Sequence, residues 1–93
     1  MLYKTGMTTD GQTVLAGVFY LVGSCGVPLE IILGYFKDNN YVVDWPEYTQ
    51  HALKDGARLH NIQSKIEAAI GEIYGPVYRK EWSRLFELYL TTL

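Results

Sequence analysis

A chain of 93 residues has room for one modest core and leaves little space for multidomain chemistry. Its composition, 48% hydrophobic and 19% charged, excludes a disordered chain, and a net charge of −2 excludes a global positive field that would draw in nucleic acid or an acidic membrane. A single cysteine, Cys25, excludes an intrachain disulfide framework and a cysteine-rich zinc site, and fits the reducing cytoplasm.

Residues 1–8 read as a flexible N-terminal segment. Lys4 followed by the apolar run 13–22 has the outline of a signal peptide, and Val22-Gly23-Ser24-Cys25 loosely resembles a lipoprotein cleavage box. One lysine is a weak charged region, however, and Asp10, Gly11 and Gln12 intrude where the apolar region should begin. Thr9 with Gln12 has the spacing of a capping box, so the expectation is a first helix over 10–22. Val14, Leu15, Val18, Phe19, Leu21 and Val22 surround most of its circumference and place it centrally.

The apolar stretch 13–36 carries one charge, Glu30. It is no membrane span, because Gly23, Ser24, Gly26 and Pro28 interrupt it and each remaining half is too short for a bilayer. A second helix over 28–37 presents Leu29, Ile32, Leu33 and Phe36 at i, i+3, i+4 and i+7, and Asn39-Asn40 ends it. Tyr41-Val42-Val43 reads as an extended connector with no partner strand.

Asp44-Trp45-Pro46-Glu47 starts a third helix, with Asp44 as N-cap, that turns Trp45, Tyr48 and Ala52 inward and stops at Gly56. A fourth helix over 58–74 carries the seam Leu59, Ile62, Ile66, Ala69, Ile70 and Ile73. Gly75-Pro76 opens a fifth, striped by Tyr78, Trp82, Leu85, Phe86 and Tyr89. The expected fold is therefore all-α: a single domain over 1–93, a compact bundle of about five short helices at ~60% helix or more, with no significant β-sheet.

No constellation carries convincing chemistry. Glu47, His51 and Asp55 stand four apart on one helix face, but a closed metal site needs four ligands, and nothing places His60 beside them. Cys25 has no neighbouring base to make a nucleophile. The glycines form no phosphate loop, and Asp38, Asn40 and Asp44 fail as a calcium loop at Val42 and Thr49. The 38–43 connector is too long for a helix-turn-helix. No enzyme activity, metal or cofactor is expected.

What stands out is apolar and aromatic surplus, including eight tyrosines. Tyrosine suits core edges and interfaces alike, and a small domain shields only part of its surface. The expectation is a non-enzymatic helical protein–protein interaction module that self-associates through its last helix. The candidate interface is Trp82, Leu85, Phe86, Tyr89 and Leu90, with Leu88 and Leu93 on the other sides. The alternative is a small nucleic-acid-binding domain that uses the basic face Arg79, Lys80 and Arg84, with Lys65 alongside.

Overall fold

The computed structural model describes residues 1–92. In chain order these form β1 (Tyr3–Met7), β2 (Thr13–Ala16), α1 (Val18–Gly23), α2 (Leu29–Asp38), β3 (Tyr41–Val43), α3 (Trp45–Lys54), α4 (Leu59–Tyr74) and α5 (Pro76–Thr91). The chain is 63% helical, with a three-stranded mixed sheet of order β1-β2-β3. The all-α class, with no significant sheet, is thereby corrected.

The correction begins at the first turn. The Thr8 carbonyl accepts from the Gly11 N–H (3.0 Å), and the Thr8 N–H donates to the Gln12 carbonyl (2.9 Å). Gly11 has φ +85°, so residues 9–11 make a three-residue hairpin loop whose last residue is left-handed. A left-handed residue has no place in the first turn of a helix. The expected box of Thr9 and Gln12 is accordingly replaced by the backbone N–H of Gln12 donating to Thr8 Oγ1 (3.0 Å).

The first half of the expected 10–22 helix is instead strand β2, antiparallel to β1 from Met7↔Thr13 to Tyr3↔Ala16, with a bulge at Thr5. Residues 1–8, expected to be flexible, thus supply an edge strand. The connector Tyr41-Val42-Val43 does have a partner: it is β3, parallel to β2 in the register Thr13↔Tyr41, Val14↔Val42, Leu15↔Val43. The α1–α2 pair is the crossover that a parallel connection requires.

Gly17 ends β2 and starts α1. Its φ is +95°, its N–H donates to Glu47 Oε1 (3.2 Å), and a Cβ there would collide with the Met1 carbonyl. Only glycine meets all three conditions.

The other helices follow their local patterns. On α2 the buried residues are Leu29, Ile32, Leu33 and Phe36, and Asn40 takes the left-handed conformation (φ +61°) after it. Asp44 Oδ1 accepts from the Glu47 N–H (3.1 Å) at the start of α3. Gly56 (φ +97°) closes α3 in a Schellman motif, with Ala57 N–H donating to the Ala52 carbonyl and Gly56 N–H to that of Leu53. Ile62, Ile66, Ala69 and Ile70 form the buried side of α4. Leu15, Tyr41 and Val43, on one face of the sheet, join these helices in a single core with Trp82 and Phe86 from α5. Among the described residues no helix is long and apolar enough to cross a membrane.

Candidate interaction surface on the C-terminal helix

Pro76 begins α5 and Gly75, at φ +94°, turns the chain out of α4. The turn is tight enough for Tyr74 and Tyr78 to stack across it, centroids 4.4 Å apart and planes 18° apart. Lys37 reinforces the corner, because its Nζ donates to the Ile73 carbonyl (3.2 Å) at the C-terminal end of α4.

Two sets of contacts then fix the rotation of α5 about its axis. Trp82 and Phe86 stack at 4.7 Å, and Trp82 meets Trp45 of α3 edge-on at 5.7 Å. Beside them Glu67 of α4 gathers three partners: Ser83 Oγ donates to Oε2 at 2.6 Å, Gln63 Nε2 donates to the same oxygen at 3.1 Å, and Arg79 Nη2 lies 3.9 Å from Oε1. The Arg79 stem crosses Gly71, where a Cβ would approach its Cδ to 3.1 Å.

With that rotation set, the expected interface divides. Trp82 and Phe86 are only 7% and 4% exposed and belong to the chain's own core. Tyr89 and Leu90 are half-buried against that core, and Leu93 lies outside the described residues. Leu85 is 62% exposed. It stands in a row with Val77 (78% exposed), Tyr78 (41%) and Leu88 (59%), interrupted by Glu81. Val77 was not named by sequence reasoning, and Leu88 was set beside the interface stripe rather than in it. The available signal was a second apolar row on α5, a third of a turn from the aromatic one.

The basic trio also divides. Arg79 is turned to Glu67, while Lys80 and Arg84 remain outside around a shallow depression with Pro76, Val77 and Glu81. Lys65 is exposed on α4 but does not border that depression.

The tyrosine at the end of the row is held neutral. Burial, and then the negative charge of Glu81, raise the Tyr78 hydroxyl above its ordinary pKa; burial, and then Tyr78, do the same for Tyr74. Both keep their protons at neutral pH and present a ring with a donor at its tip.

The remaining candidates fall into ordinary roles. Glu47 accepts from the Gly17 N–H, and its other oxygen lies 3.9 Å from His51 Nδ1. The His51 ring leans on Phe19 at 5.0 Å. Asp55 is the C-cap of α3, His60 is exposed on α4, and Cys25 is exposed between α1 and α2. Among the described residues no three His, Cys, Asp or Glu side chains gather in a way that would hold a metal. Comparison of the chain with known protein families, with curated proteins and with solved structures finds no match.

Proposed function

We propose that the protein is a non-enzymatic protein–protein interaction module whose contact surface is the outward side of α5. The observation that carries this reading is the row Val77, Tyr78, Leu85 and Leu88, four large apolar side chains 41% to 78% exposed on one side of one helix. Single exposed apolar residues are ordinary on protein surfaces, whereas several on one helix side with a charged rim mark a contact site. Arg84 and Lys80 form that rim. The helix is held from behind by Trp82 on Trp45, by the burial of Phe86 and by Glu67, so the row is presented on a rigid support and little ordering is needed on binding. The reading takes the module to be cytoplasmic, a location that the single cysteine supports.

A photo-crosslinking residue at Leu85, with a control at Ser64 on the exposed side of α4, tests the reading in the native cell. A discrete protein adduct at position 85, missing at 64 and lost on Leu88→Glu, is expected. Equal, diffuse labelling at the two positions overturns it.

A further inference from the structure

The row on α5 has the form of one half of a helix pair. Tyr78, Glu81, Trp82 and Leu85 stand at i, i+3, i+4 and i+7 and border a notch of ≈ 160 Å³. Four residues at that spacing form the hole that receives one side chain of a facing helix in knobs-into-holes packing. Leu85 projects into solvent from the edge of the same notch. Hole and knob therefore lie on one surface, and a two-fold axis lets each of two copies fill the other.

The charges obey the same symmetry. Glu81 interrupts the apolar row, and Arg84 stands on its rim one turn further along. Neither makes an ion pair among the described residues, whose two pairs are His51–Glu47 and Arg79–Glu67. A parallel pairing would set Glu81 against Glu81 and Arg84 against Arg84. An antiparallel pairing about an axis beside Ser83 brings Glu81 of each copy level with Arg84 of the other. It also lays Leu88 over the ring of Tyr78 from the second copy. The one charge that spoils the row for an arbitrary apolar partner thus acquires a counter-ion when the partner is the same helix reversed.

We infer that the occupant of this face is a second copy of the chain, packed antiparallel through α5, with Leu85 of each copy in the notch of the other and Glu81 paired with Arg84 across the axis. The inference rests on the interaction reading of α5 and adds the identity of the partner. A helix of 16 residues spans only ~24 Å, so the contact falls well below the ~1,600 Å² of a standard stable interface. The dimer is accordingly weak, with Kd on the order of 10–100 µM.

Sedimentation velocity from ~1 to ~500 µM, a range that brackets that Kd, tests it on four samples: wild type, Glu81→Arg, Arg84→Glu, and an equimolar mixture of these two variants. Both positions are exposed, and circular dichroism confirms that each variant folds. Wild type is expected to dimerise, and each single reversal to raise Kd about tenfold by setting like charges together. The mixture recovers a heterodimer within about threefold of wild type, because one chain then offers two cations where the other offers two anions. A wild-type chain that stays monomeric throughout the range overturns the second copy as occupant. A wild-type dimer whose charge-reversed chains do not recover on mixing overturns it equally, since that dimer uses another surface. In either case the crosslink at position 85 in the native cell still reports independently on whether the α5 face binds any protein.

Discussion

The two apolar sides of α5 are both built of large apolar residues and have opposite fates. Trp82 and Phe86 are sealed against Trp45 and the α4 helix, while Leu85 and Leu88, one position before Phe86 and two after it, face water. Hydrophobicity alone does not distinguish the two sides. Contacts with other elements do: Trp82 meets Trp45 of α3 edge-on, and Glu67 catches Ser83 and Arg79 on the flank that adjoins the aromatic side. A hydrogen-bonded carboxylate thereby works with the aromatic packing in setting which apolar row becomes core and which remains available.

The sharpest way to break this contrast is to truncate one residue from each side. Phe86→Ala should lower the stability by about 3–5 kcal/mol, the usual cost of an aromatic cavity, whereas Leu88→Ala should change it by less than ~0.5 kcal/mol. Urea titration of both variants measures the difference, and comparable losses would mean that the outer row is also core.

The inner side is tied to α3 through Trp45, which packs on Tyr48 at 5.4 Å. Burial, and then the nearby charge of Glu30, push the Tyr48 hydroxyl from 10.0 up to about 12. The folded chain therefore holds that proton more tightly than the unfolded chain, so stability is flat below pH ~10 and falls as pH rises from ~10 to ~12. The full loss from this group is about 2–3 kcal/mol. Tyr48→Phe should flatten most of that alkaline limb in denaturant midpoints taken from pH 8 to 12, with Tyr74 and Tyr78 leaving a smaller slope of the same sign.

The smallest effect tests the selector itself. Glu67→Ala removes the acceptor of the Ser83 and Gln63 hydrogen bonds and should cost ~1 kcal/mol. It should also free the Arg79 side chain, so amide exchange in the middle of α5 is expected to quicken more than in α2. Unchanged exchange in α5 would show that the aromatic packing alone fixes its rotation.

Much of the helical part was legible because its signals are local. The stripe Leu29, Ile32, Leu33, Phe36, the Asp44 cap and the Gly56 stop each lie within one or two turns of chain, and helical hydrogen bonds close between residues four apart. The sheet was not legible in the same way. Val14, Leu15 and Ala16 satisfy an apolar helix as well as a buried strand, and the partners that decide between them, Val42 and Val43, lie beyond two intervening helices. Asp10-Gly11 was the one local hairpin signal available, and it was masked by the capping-box spacing of Thr9 and Gln12, whereas the turn is closed by Thr8 and Gln12.

The sequence by itself determined where α2 to α5 lie and that α5 carries more apolar surface than one side needs. Only the tertiary structure decided that residues 13–16 are a strand and that Leu85 and Leu88, rather than Trp82 and Phe86, face outward. The physical reason is common to both. A strand's N–H and C=O groups and a helix's rotation are settled by partners on other elements: Thr13 pairs with Tyr41, Gly17 with Glu47, and Ser83 with Glu67.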